Sequence, residues 1–460
     1  MSRSHFAHET DRASLARWSS SALPLFAIAV LLTACGGGGG ASAPAPQCGG
    51  STAFLTDIGI RLPPTTGTYT YNTFMPGAAG FPALGGTYTD PVFGGIVRRL
   101  TNLVGTVNFD NIYAHHWANA NGTFAFTYGP TIVEVATGRT VYSSQPAGLN
   151  GSELYWDALD PDKYYFFSGA SLMRRNLSAQ TNTTMKTFPA TLQANGGSVN
   201  IQSGNGRYFT VRYGGANQVW DSQLDVIYAG SVVPTSAGGW VGISPNGNYI
   251  INAGSPQHYS QFIDHTTQTI SPTQVMFWNL CGDHGDTVSA SNGKTYLITM
   301  NCNNIPAVYR VDITLDQAGK SAAQQAAANQ LLVPTTWNDD SHFSAVSRGA
   351  FADWVFISTE SNADAFNSSV SGWTAYKQEI IAANVITLEV RRFAHHRSRN
   401  LPVQYGTSPR VSSSWDGSTV MWTSDFNISS PTGYADTYAI QSPLGSTGAT
   451  VPAPQNLQVR

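Results

Sequence analysis

From residue 112 to residue 423 the chain repeats one pattern: a short strand, a tight polar turn, and a second strand dense in Tyr, Phe, Ile, Val and Thr. The paired strands fall at 112–120 and 123–128, 153–159 and 163–168, 198–203 and 207–213, 240–244 and 248–253, 286–290 and 294–300, 342–347 and 354–359, and 411–414 and 418–423. Five of the seven turns are Asn-Gly or Asp-Gly: Asn121-Gly122, Asn205-Gly206, Asn246-Gly247, Asn292-Gly293 and Asp416-Gly417. These dipeptides suit hairpins whose two central residues both need positive φ. The second strands carry the residue types that fit a pleated, half-buried surface. After each pair come one or two further strand-like runs, such as 132–135 and 140–143.

The turns start at 121, 160, 205, 246, 292, 349 and 416. A spacing of roughly 40 residues is that of one four-stranded propeller blade. The pattern therefore predicts an all-β, seven-bladed β-propeller over 91–441. The strand-like run 93–101 precedes the first unit and is expected to complete the last blade, which leaves no free sheet edge. Residues 51–90 form an N-terminal extension expected to run along the outside, and 442–460 a loose tail. Two insertions break the period. Residues 316–332 are strong helix formers and are expected to form a helix linking the fifth and sixth units. Residues 362–370 are a polar loop suited to the rim of a cleft.

The first 34 residues read as a targeting segment. Arg3, Arg12 and Arg17 precede an apolar run, 22–32, too short to span a bilayer and suited to a signal-peptide core. It ends in Leu32-Thr33-Ala34-Cys35, a lipoprotein box with Cys35 as the lipidation site, although a plain cleavage site before a Cys fits as well. Residues 35–50, rich in Gly, Ala and Pro, form a flexible tether. The expectation is a monomer held by lipid at the outer membrane or cell surface of a bacterium, or in the periplasm, since two or more acyl chains anchor stably. Only 11% of the residues are charged and the net charge is −3, so the chain has no basic footprint for nucleic acid.

Six of the eight histidines beyond the leader, at 115, 116, 284, 342, 395 and 396, open or precede first strands. In a propeller those positions cluster around the central channel. The candidate catalytic set is His115, His116, His342, His395, His396, Arg397, Tyr405 and Arg410. Histidines can move protons near neutral pH or ligate a metal, and arginine can grip a carboxylate with two hydrogen bonds. The plainer reading is that these residues tie neighbouring blades together. Cys281 and Cys302 either form a disulfide or, with His284 and His258, bind a structural zinc ion. No Gly-rich phosphate loop, His-Glu-x-x-His or Gly-x-Ser-x-Gly pattern is present.

His395-His396-Arg397-Ser398, Pro409 to Gly417, Asp90 to Gly94 and His284-Gly285-Asp286 together resemble bacterial secreted seven-bladed propellers. The same broad architecture houses polysaccharide lyases, and the chain resembles the oligogalacturonate and ulvan lyase type. The resemblance implies β-elimination on a uronate-containing glycan by His, Tyr and Arg, in some members with a divalent metal such as zinc, manganese or calcium. The alternative is a propeller that binds a glycan or a protein without catalysis.

Overall fold

The computed structural model describes residues 55–57, 68–70, 80–90, 93–104, 116–127, 131–142, 154–193, 200–232, 239–254, 257–281, 284–302, 307–334, 341–360, 369–371, 376–398, 408–426, 435–442 and 444. Cys35, Cys48, His115 and Tyr405, and with them the leader, the tether and nearly all of the tail, lie outside these residues. The described residues form a seven-bladed β-propeller with one short α-helix.

Each blade is an antiparallel meander that runs outward from the channel. The fifth blade shows it in full: Gly285–Ser289, Thr295–Asn301, Ala307–Asp312 and Gln330–Pro334 pair in chain order. The last blade is closed by the N-terminal segment. Ile96–Arg99 pairs with Asp436–Gln441, and Thr87–Thr89 adds a further outer strand. The extension does more than run along the outside. Leu55–Asp57 pairs with Val390–His395 as the fifth strand of the sixth blade, which covers an otherwise open edge. At the other end of the chain, Leu444 packs between the sixth and seventh blades.

Seven apolar clusters fill the seven grooves between neighbouring blades. The inner strands leave backbone groups facing the channel, and each junction satisfies one of them across the gap. In order round the ring, Trp156 Nε1 donates to Trp117 O, Ala158 N to Gln202 Oε1, and Gly204 N to Pro245 O. Asn246 N donates to Ser289 Oγ, Ala345 N to Asp286 Oδ2, Ser413 N to Ser344 Oγ, and Trp117 N to Ser412 Oγ. Several polar residues that open first strands are thus accounted for by closure of the ring.

Two sequence expectations are corrected. The Asn-Gly and Asp-Gly turns are not two-residue hairpins: only the glycine has positive φ, +74° at Gly206 and +72° at Gly417. The Asn or Asp carbonyl oxygen instead accepts the N–H two residues on, as Asn205 does from Arg207 and Asp416 from Ser418. This Asx turn is a local alternative that such side chains offer the backbone. The helix is the second correction. It spans only Ala322–Ala328, capped by Ser321, and joins the third and fourth strands of the fifth blade. Leu331 and Leu332, good helix formers, are drawn into the outer strand of that blade, where pairing with Ala307–Asp312 leaves Leu331 half-buried and buries Leu332 fully.

Candidate functional site

The propeller has two faces. The turns within the blades' first hairpins lie on one, the turn face. The connections from one blade to the next, and those from second to third strands, lie on the other, the loop face. His342 is the second residue of the inner strand Ser341–Ala345, and Glu360 follows the neighbouring strand Trp354–Thr359, so both stand at the loop face of the sixth blade. His284 precedes the inner strand of the fifth blade, and Ser408 precedes that of the seventh. Three adjacent blades therefore deliver side chains to one place.

The contacts there are close. His342 Nδ1 lies 2.6 Å from Glu360 Oε1, and the His284 and His342 ring centroids are 4.3 Å apart at an interplanar angle of 34°. Ser408 Oγ donates to the other carboxylate oxygen of Glu360 at 3.2 Å. A carboxylate oxygen at this distance accepts, so Nδ1 of His342 carries a proton and Nε2 is the ring nitrogen turned away from Glu360. The His342 side chain is 12% exposed and that of Glu360 6%, so the pair is largely shielded from water. His396 stands beside this group: its Nε2 lies 2.8 Å from Thr359 O, and its Nδ1 accepts from Ser398 N. Those partners make His396 a neutral imidazole that orders the chain around Glu360.

The other sequence candidates lie elsewhere. His116 sits deeper, with Nδ1 at 3.0 Å from Ser413 O, Nε2 at 2.9 Å from Ser347 Oγ, and its ring 4.3 Å from Trp415. Ser347 is five residues along from His342, about 16 Å at the rise of a strand, toward the turn face. Both ring nitrogens of His116 thus tie the first blade to the sixth and seventh. Gly204, on the opposite side of the ring, also abuts Ser347: a Cβ there would come 2.2 Å from Ser347 O. The segment Ser347-Arg348 crosses the channel at the turn face, where both its N–H groups reach Trp415 O.

His395 and Arg397 belong to a buried network with the N-terminal strands Thr87–Thr89 and Ile96–Arg99 and the residues beside them, the N-terminal strap. Asp90 accepts from Phe93 N and His395 N, and its carboxylate lies 3.5 Å from His395 Nδ1. Burial pushes the Asp90 carboxyl up, but His395 and then Arg397 outweigh it and hold it down at about 2. Arg397, 2% exposed and with φ +61°, packs its guanidinium over Tyr88 and Phe426. Burial pushes the Tyr88 phenol far above its ordinary value, and Arg397 only partly offsets this. Arg410 is also 2% exposed. The two arginines expected at the channel mouth are therefore held in the interior.

Of the two alternatives for Cys281 and Cys302, disulfide or zinc, the structure has the disulfide. The bond removes both thiolates that a zinc site needs. His258 is fully buried in the fourth blade, with its ring beside Phe277. Among the described residues no group of three or more His, Cys, Asp or Glu side chains could hold a metal ion.

Glu360 is the functional candidate that the sequence reading missed. Its one signal is an acid directly after the apolar run Trp354–Thr359, in a chain with only 27 Asp and Glu residues. A carboxylate at the end of a buried strand calls for a partner, but the sequence does not show which.

No family model and no curated protein matches the sequence. Among solved structures the chain is similar to an oligogalacturonate lyase from Vibrio parahaemolyticus, with a TM-score of 0.48 and 10% identity over 82% of this chain and 98% of that one. It is also similar to Kuenenia stuttgartiensis hydrazine synthase, with a TM-score of 0.42 and 13% identity over 71% of this chain and 97% of that one. At these identities the likeness concerns the course of the chain and transfers no residue. Among the described residues no helix is long and apolar enough to cross a membrane.

Proposed function

We propose that the protein is a polysaccharide lyase that cleaves uronate-containing glycans by β-elimination at the loop face, exported and held by lipid at Cys35. The observation that carries this reading is the His342–Glu360 pair with the His284 ring against it. Elimination needs a base for the proton next to the uronate carboxylate, a cation to lower the negative charge that develops there, and a proton for the leaving oxygen. His342, oriented by Glu360, supplies the base at Nε2. His284, when protonated, supplies the cation. Tyr405, three residues before Ser408, is assigned the last proton.

The test is an assay of several uronate polymers for the ultraviolet absorbance of unsaturated products. The wild type gives product with at least one polymer. His342→Ala lowers the rate at least a hundredfold and Glu360→Gln about tenfold or more, within the usual worth of a positioned base. Product formation untouched by His342→Ala refutes the assignment of the base. The burial of Arg397 and Arg410 favours a second reading, a glycan-binding propeller without catalysis. Retention of a polymer with no unsaturated product from any of them selects that reading.

A further inference from the structure

The Cys281–Cys302 disulfide sits beside the candidate site. Cys302 directly follows the second strand of the fifth blade and is exposed to solvent, and Cys281 is half-buried in the segment that leads into the inner strand. The last register pair of that hairpin is Gly285 with Thr299. His284 lies between this pair and the disulfide, so it occupies the end of a hairpin that the Cys281–Cys302 bond clamps. Two contacts reinforce the clamp: Thr299 Oγ1 donates to His284 O at 2.6 Å, and Cys302 N donates to Leu280 O at 3.0 Å. Hairpin ends fray first when their closing constraint is removed.

We propose that Cys281–Cys302 is a redox-sensitive positioning element that holds His284 against His342. Exchange needs a sulfur within reach of a thiolate, and the exposure of Cys302 provides it. A dithiol reductant acts in two steps. Its thiolate attacks Cys302 Sγ, the bond to Cys281 breaks, and Cys281 leaves as a thiolate that takes up a proton. The second thiol of the reductant then attacks the mixed disulfide, which releases Cys302, also protonated. Two electrons pass to the protein and the dithiol becomes a disulfide. The freed segment ahead of Gly285 frays, and His284 leaves the His342 ring while the pairing of Gly285–Ser289 persists.

The readout is the proton NMR contact between the two imidazoles in full-length protein with labelled histidine. It does not depend on any enzymatic activity. The expected result is that the contact is strong in the oxidised protein, is lost with excess dithiothreitol, and returns on reoxidation, while far-ultraviolet circular dichroism stays the same. A Cys281→Ser/Cys302→Ser variant lacks the contact in both conditions, which separates this bond from Cys35 and Cys48. If that variant does not fold, the reductant titration of the wild type decides alone. An inter-ring contact that survives full reduction of the bond overturns the proposal and leaves the disulfide as a stability element only. Under the lyase reading, reduction also lowers the rate at least tenfold and reversibly. A lost ring contact in a protein without lyase activity refutes that reading and not this one.

Discussion

Asp436 fastens the closure of the ring, and replacing it by Asn tests whether the seam is held as the structure implies. One carboxylate oxygen accepts from Arg99 Nε at 2.9 Å and Nη2 at 2.7 Å; the other accepts from Thr101 Oγ1 and Leu103 N, both at 2.8 Å. All four donors lie on the N-terminal strap, and Asp436 is fully buried. Asn keeps the shape but strands the Arg99 charge, and removing one partner of a buried ion pair costs about 3–5 kcal/mol. The propeller has roughly 350 residues, and at about 2.1 cal/mol/K per residue its unfolding entropy is near 0.75 kcal/mol/K. The expected fall in Tm is therefore about 4–7 °C, measured by scanning calorimetry at one fixed scan rate. An Arg99→Met/Asp436→Leu variant removes both charges and is expected to recover much of the loss. A fall below about 1 °C for Asp436→Asn, or a double variant no better than the single, refutes the reasoning.

Two further outcomes follow from particular contacts. His265 stacks on Tyr208 at 4.1 Å, accepts at Nδ1 from Tyr228 Oη at 3.0 Å, and donates from Nε2 to Gly247 O at 3.1 Å. Burial holds its pKa below the ordinary value, and nearby Arg207 adds to this against the opposing bond to Gly247. The folded state thus favours the neutral ring, and its contribution is present above the unfolded value near 6.5 and is lost as pH falls below it. Denaturant midpoints measured between pH 8 and pH 5 should fall with pH, and His265→Gln should flatten that slope; an unchanged slope refutes the assignment. Gly417 and Gly293 make a matched pair. At Gly417 (φ +72°) a Cβ would meet Val346 Cγ2 at 2.6 Å, whereas at Gly293 (φ +81°) nothing lies within 4 Å. Gly293→Ala should cost about 1–2 kcal/mol from backbone strain alone, and Gly417→Ala about 2–4 kcal/mol with the added overlap, by urea denaturation. Equal costs would show that the Val346 contact is immaterial.

The number of blades and the closure by an early strand were legible in the sequence. Both rest on local signals repeated many times: turn residues at a near-constant spacing, and alternating strands that must each find a neighbour. The exact form of the turns was not, because an Asn side chain can replace a backbone partner without changing the dipeptide. The helix was overestimated at 316–332 because propensity is a local quantity, and Leu332 gains more from burial in the fifth blade.

For the site, the sequence identified the histidines but not their grouping. His284 and His342 are 58 positions apart and meet because adjacent blades place their inner strands side by side. His116, equally prominent in the chain, faces Ser413 and Ser347 because a strand extends about 3.3 Å per residue and a few positions of offset move a side chain toward the other face. Glu360 gained a role only when folding set its carboxylate beside His342. Residue types and periodicity by themselves determined the ring. Which polar groups close it and which remain for chemistry was decided by the tertiary structure, since that depends on distances across blades that no local pattern encodes.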